Sequence, residues 1–119
     1  KTINNYLEYI KIICRYYQNP RVVKAHRIFV GNVIRRVLEI LASFENLGSN
    51  DIQAMIDGTG KRRLSMIANH MSHESFSKTI DPLSSTDELQ VACREVLELI
   101  KERHHPQYRK IHEVFGVAI

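Results

Sequence analysis

An arginine and a glutamate stand four residues apart in the middle of the chain, within a run that is patterned as an amphipathic helix. On such a helix Arg35 and Glu39 share one face, with their Cβ atoms about 5–6 Å apart. At about 100° per residue the polar residues of the run form one stripe, which consists of Asn32, Arg35, Arg36, Glu39 and Ser43. The simpler interpretation is a surface helix with a modest salt bridge. The sharper hypothesis is a polar site that one more group, from elsewhere in the chain, completes.

These residue types match the needs of RNA cleavage without a metal ion. The reaction requires a base that removes the ribose 2′ proton, an acid that protonates the leaving 5′ oxygen, and a cation that stabilises the phosphorane. Glutamate, histidine and arginine can fill those roles. His70 and His73, at the end of a predicted helix, are the candidates for the histidine. Either could instead stabilise the C-terminus of that helix, where the dipole favours a protonated imidazole.

The elements that must position these groups are all expected to be helices. Glycine and proline number only 5 and 3, and strand-like alternation is hard to find. Apolar residues recur at spacings of three and four, which is the pattern of amphipathic helices. The predicted helices cover residues 2–18, about 30–46, 52–57, about 64–71, 85–103 and about 108–115. We therefore expect an all-α fold, a single compact bundle of five or six helices that spans residues 1–119.

The same pattern predicts which faces are buried and where one helix starts. The first helix should bury Ile3, Tyr6, Leu7, Ile10, Ile13, Cys14 and Tyr17. The central helix should bury Val30, Val33, Ile34, Val37, Leu41 and Phe44. The run Ser85-Thr-Asp-Glu88 is a capping box, which places a helix start at Ser85.

Composition and charge narrow the classes of function. The chain is 44% hydrophobic and 25% charged, which is typical of a folded domain and argues against disorder. A net charge of +4 permits contact with phosphate without being diagnostic of it. The densest basic run is Lys61, Arg62 and Arg63, which we expect to guide an RNA backbone electrostatically. The preceding Gly58-Thr-Gly lacks the spacing of a phosphate-binding loop.

Histidines and cysteines show no metal-binding pattern. The six histidines include no HExxH motif, and the two cysteines have no partners at zinc-ligand spacing, so no metal site is predicted. Cys14 and Cys93 lie within helical patterns and are expected to be buried free thiols in a reducing, cytoplasmic compartment. No run approaches the ~18 apolar residues of a membrane span, so a membrane partner is not expected.

The order of these features resembles the C-terminal helical domain of bacterial anticodon nucleases of the PrrC and RloC type and of related ABC-type ATPases in phage-defence loci. The resemblance covers roughly residues 25–115. It is carried by Asn32, Arg35, Arg36, Leu38, Glu39 and Phe44, then by Asn69-His-Met-Ser-His73, and then by Leu89–Ile100 and His105-Pro-Gln-Tyr108. One departure is the His-Met pair before Ser72, where the family has a glycine or another small residue.

The resemblance implies an HEPN-like, metal-independent ribonuclease with Arg35, Glu39 and His73 as its catalytic triad and His70 as the alternative histidine. Arg35 would hold the scissile phosphate, Glu39 would orient Arg35 or relay a proton, and His73 would act as acid or base. The supporting residues would be Asn32, Arg36, Asn69 and His70. The substrate would be tRNA or another RNA, and a homodimer is expected.

The resemblance also implies a larger parent protein. The chain would be a C-terminal piece of an ATPase-linked protein, with no cofactor of its own and with ATP and Mg needed only in the ATPase region. Relatives share this helical domain without obvious ribonuclease activity. The alternative function is therefore a non-catalytic helical adaptor that mediates dimerisation or docks a partner nuclease.

Overall fold

The computed structural model describes residues 2–21, 27–45, 51–70 and 85–119. This part of the chain contains no strand. It forms six helices, which are α1 (Thr2–Gln18), α2 (Arg27–Glu45), α3 (Ile52–Ile56), α4 (Arg62–His70), α5 (Thr86–Arg103) and α6 (His105–Phe115). The prediction of an all-α fold with five or six helices is confirmed.

Local sequence explains most of the helix ends. Proline at position 20 disfavours helical geometry at the residue before it, and α1 ends at Gln18. The hydroxyl of Ser85 accepts a hydrogen bond of 3.0 Å from the backbone N–H of Glu88, so Ser85 caps the start of α5 as predicted. The Glu88 carboxylate, the other half of the predicted capping box, contacts Arg63. At the other end, Gly116 adopts a φ of 71° and terminates α6 in the left-handed conformation that glycine tolerates best.

One hydrophobic core joins the helices. α1, α2 and α5 pack against one another, α4 packs on α5 and α2, α3 packs on α4 and α2, and α6 packs on α5. The centre of this core consists of Ile13, Cys14, Ile34, Val37, Leu38, Cys93, Val96 and Leu97, all fully buried. This packing fixes α2 on its apolar side, so its polar stripe is presented outward.

Two predicted core residues are instead exposed. Phe44 is 72% exposed although its position falls between the buried Val33 and Val37 on the apolar side of α2, and it lies in the last turn of the helix. Leu7 is 51% exposed because it stands on the rim of a shallow groove between α1 and α6. Both predictions of burial were wrong.

None of the described helices is both long enough and apolar enough to cross a membrane.

Candidate functional site

The pair predicted from spacing forms on the outward side of α2. Arg35 Nε lies 3.4 Å from Glu39 Oε2, and the two side chains are 28% and 24% exposed. They are therefore open to solvent yet flanked by the rest of the fold. This contact restrains the Arg35 guanidinium while leaving part of it accessible.

Glu39 is shared between two arginines. Its other oxygen, Oε1, accepts a hydrogen bond of 3.3 Å from Arg36 Nη1, and the Arg36 side chain is 57% exposed. Asn32, one turn earlier, is also exposed. Two guanidinium groups against one carboxylate leave this stripe with a local charge of about +1 at neutral pH, which suits an anionic ligand.

The histidine of the predicted triad is not placed. His73 lies outside the described residues. Asn69 and His70 lie in the last turn of α4, and α4 contacts α2. The proximity of a histidine to Arg35 stays a prediction.

The predicted RNA-binding run pairs mostly with the protein itself. Lys61 is 6% exposed, and its ammonium lies 3.2 Å from Glu102 and 3.9 Å from Glu98. Arg63 forms a two-pronged contact with Glu88, with Nε and Nη2 at 3.0 and 3.2 Å from the two carboxylate oxygens. This parallel geometry is the strongest form of arginine–carboxylate pairing.

A buried glutamate completes this contact between α4 and α5. Glu95 Oε1 accepts the backbone N–H groups of Arg63 and Leu64 at 3.0 and 3.2 Å, so a carboxylate from α5 caps the start of α4. Burial raises the pKa of Glu95, an effect that outweighs the lowering by these N–H groups and by the Arg63 charge. In contrast, the hydrogen bond from Arg63 holds the pKa of Glu88 below its ordinary value of 4.5.

Arg62 is the member of the run that stays exposed. Since Lys61 and Arg63 already face carboxylates, the run offers an incoming RNA far less free positive charge than its sequence suggests. Its role in guiding RNA stays a prediction.

The carboxylates that hold this run were not singled out from the sequence. Glu88, Glu95, Glu98 and Glu102 are spaced by seven, three and four, which places them along one side of α5. That spacing was visible in the sequence. A row of acids on one helix and a basic run on another is a recognisable sign of an intramolecular contact.

Comparison of the chain with protein-family models, with curated proteins and with solved structures finds no match.

A second set of arginine, glutamate and histidine residues occurs where α2, α3 and α5 end. The Glu45 carboxylate contacts Arg103 Nη2 and His104 Nε2, each at 2.8 Å, and Arg103 Nη1 also donates to the Met55 carbonyl at 2.9 Å. Because the carboxylate only accepts, Nε2 of His104 carries the proton. All of these contacts join helix ends, so this set fastens the fold.

Among the described residues no three histidine, cysteine, aspartate or glutamate side chains come together as a metal ion requires. Cys14 and Cys93 are buried free thiols, as predicted. Burial raises the pKa of the Cys14 thiol to about 12 and raises that of Cys93 as well, so neither is suited to act as a nucleophile.

Proposed function

We propose that this chain is a metal-independent ribonuclease module that cleaves tRNA or another RNA within an ATPase-linked phage-defence protein. The observation that carries the proposal is the contact of the Arg35 guanidinium with Glu39 on the outward face of α2, where both side chains are partly exposed. The order of motifs that resembles anticodon nucleases supports the same reaction. The proposal assigns no cofactor to this chain, and it assigns ATP and Mg to the ATPase region.

The proposed roles follow from the charges. Arg35 binds the scissile phosphate and stabilises the added negative charge of the phosphorane. Glu39 orients Arg35 or relays a proton, and His73 serves as acid or base, as the resemblance implies. The ribose 2′ oxygen attacks phosphorus as its proton leaves, and the 5′ oxygen departs with a proton, which yields a cyclic phosphate and a free 5′ hydroxyl.

The test is cleavage of bulk tRNA in EDTA, by the chain and by its ATPase-containing assembly in separate reactions. Because that assembly needs ATP and Mg, it is first activated with both and then transferred to EDTA with the RNA. Arg35→Ala and His73→Ala should each lower the cleavage rate by at least about 100-fold, since each removes a group that acts in the transition state. Circular dichroism checks that the variants fold.

A matched control is available on α5. Arg94 Nε lies 3.1 Å from Glu98 Oε2, which repeats the Arg-x-x-x-Glu arrangement on a helix that the proposal does not use. Arg94→Ala should leave cleavage unchanged. Equal loss in Arg35→Ala and Arg94→Ala, or no cleavage by the activated assembly, would contradict the proposed ribonuclease.

The second candidate function is the non-catalytic adaptor, and a different observation favours it. Phe29 and Phe44 on α2 are 50% and 72% exposed, with half-buried Ile40 between them. They stand about 22 Å apart along the helix. If two copies pack their α2 helices antiparallel, Phe29 of each copy meets Phe44 of the other, as a two-fold interface requires.

This adaptor function predicts a homodimer that depends on those aromatic rings. Light scattering after size exclusion should give twice the mass of one chain, and Phe44→Ser should give a monomer. Leu7→Ser, which changes an equally apolar exposed residue on α1, is the matched control. A monomeric parent chain would exclude this mode of dimerisation.

A further inference from the structure

The outward face of α6 carries three side chains able to bind an anion. His105, Arg109 and His112 are spaced by four and three, so they line one face of the helix, and all three are exposed. Within the described ranges Arg109 has no carboxylate partner, in contrast to Lys61 and Arg63. Its guanidinium is therefore free to bind a ligand.

The segment 116–119 folds back beside this face and forms a wall. Gly116 turns the chain, Val117 is buried, and the backbone N–H of Ile119 donates to the Tyr108 hydroxyl at 3.0 Å. The ammonium of Lys101 donates to the Ile119 carbonyl. α6 and segment 116–119 line a cavity of about 350 Å³ that is open to solvent. This volume is within the range of small-ligand sites.

Segment 116–119 also orients the imidazole of His112. His112 Nδ1 contacts the Val117 carbonyl, and a carbonyl only accepts hydrogen bonds, so Nδ1 carries a proton. Nε2 is left for a ligand, and it accepts a hydrogen bond in the neutral ring and donates one only in the cationic ring. The imidazole does not have to be ordered when the ligand binds, which lowers the entropic cost.

One carboxylate borders the cavity. Glu113 would repel an anion, but its Oε1 lies 3.6 Å from the ammonium of Lys110. The charge of Glu113 is therefore partly offset, and Arg109 sets the sign of the potential on this face.

We propose that this face of α6 binds the phosphodiester backbone of single-stranded RNA, with Arg109 on one phosphate, His105 as a flanking hydrogen-bond donor, and His112 as a second donor in its cationic form. The histidines are separated by about 10 Å along the helix, the axial length of about three stacked nucleotides. The inference rests on the proposed ribonuclease function, because it names where that substrate lies.

Binding is tested with a labelled single strand of about 16 nucleotides. A 2′-O-methyl RNA is used because it lacks the 2′ nucleophile and cannot be cleaved, so binding is measured apart from catalysis. Fluorescence anisotropy of the whole chain, over a series of salt concentrations, gives the affinity. Arg109→Gln should weaken binding about 5- to 10-fold and reduce the slope of log affinity against log salt by about 0.7, the loss of one phosphate contact.

Arg15→Gln is the matched control, since it removes one exposed positive charge from α1, outside the residues that line this cavity. It should change binding less than 2-fold, and His112→Asn should weaken it by an intermediate factor. Equal effects of Arg109→Gln and Arg15→Gln overturn the inference. A larger effect of Arg62→Gln does so too, and places the RNA on the predicted basic run.

Two further outcomes distinguish RNA binding on α6 from the proposed ribonuclease activity. If Arg109→Gln lowers binding while Arg35→Ala leaves cleavage intact, the proposed catalytic site fails and the α6 surface stands. No binding at low salt, or displacement of the RNA by polyglutamate at equal charge concentration, overturns the α6 surface, whatever the cleavage assay gives.

Discussion

Glu95 caps a helix and carries a buried charge at the same time. Its Oε1 accepts two backbone N–H groups at the start of α4, and its other oxygen, Oε2, lies 4.0 Å from Arg63. The cap requires an oxygen, whereas the charge is disfavoured by burial, as the raised pKa indicates. These two effects are separable by substitution.

Glu95→Gln keeps an oxygen for the two N–H groups and removes the buried charge. We expect its free energy of unfolding to stay within about 1 kcal/mol of the parent chain. Glu95→Ala leaves the N–H groups without a partner and should cost about 1–3 kcal/mol. Urea denaturation measures both, with the exposed Glu113→Ala as a control close to zero. Equal losses for Gln and Ala would show that the charge, and not the cap, is what matters.

Glu88 should make stability depend on pH in the opposite direction from Glu95. Its pKa is lowered in the fold by Arg63, so its contribution is present above the ordinary value of 4.5 and is lost as pH falls through the lowered pKa. The pKa of Glu95 is raised, so a stabilising effect of its protonation appears as pH falls toward 4.5.

The measurement is the urea midpoint of the parent chain, Glu88→Gln and Glu95→Gln between pH 7 and pH 3. The urea midpoint of the parent chain should exceed that of Glu88→Gln at pH 7, and this difference should shrink as the pH falls. The urea midpoint of the parent chain should rise relative to that of Glu95→Gln as the pH falls from 7 toward 4.5. If the urea midpoints of the two variants change with pH in the same way, Glu88 and Glu95 do not differ in how their protonation affects stability.

At the scale of elements, α5 organises the molecule. It contacts α1, α2, α4 and α6, and it supplies the row of carboxylates that receives the basic run. Its N-terminus is exposed but capped by Ser85. Loss of this cap should therefore destabilise the helix against which α1, α2, α4 and α6 pack.

Ser85→Ala removes the cap and should lower the free energy of unfolding by about 1 kcal/mol. Ser85→Asp keeps an acceptor and adds a charge that the helix dipole favours, so it should be neutral or slightly stabilising. Thermal unfolding followed by circular dichroism at 222 nm, the wavelength of helical signal, compares the two variants. A stable Ser85→Ala would mean that packing alone holds the start of α5.

What could be predicted from the sequence was local. The cap at Ser85, the end of α1 before Pro20 and the Arg35–Glu39 pair depend on residues a few positions apart, and each formed as expected. Lys61 and Arg63 were predicted to face RNA, yet their partners lie 25 to 41 residues away on α5. Spacing shows that charges share a face; it does not show what that face meets in the fold.

At the scale of the whole molecule, two buried thiols report on cooperativity. Cys14 on α1 and Cys93 on α5 belong to the same hydrophobic core, and neither is exposed to solvent. Their raised pKa values make the reactive thiolate rare in the native state. A thiol reagent can therefore reach either residue only after the core opens.

If the chain unfolds as one cooperative unit, both thiols should become reactive in the same event. We expect the single variants Cys14→Ala and Cys93→Ala, each with one thiol left, to react with a disulfide reagent at rates that rise equally with urea. The slope should equal that of global unfolding followed by circular dichroism. Faster labelling of Cys14 with a shallower slope would mean that α1 separates from a stable remainder, and the chain would then not unfold as one cooperative unit.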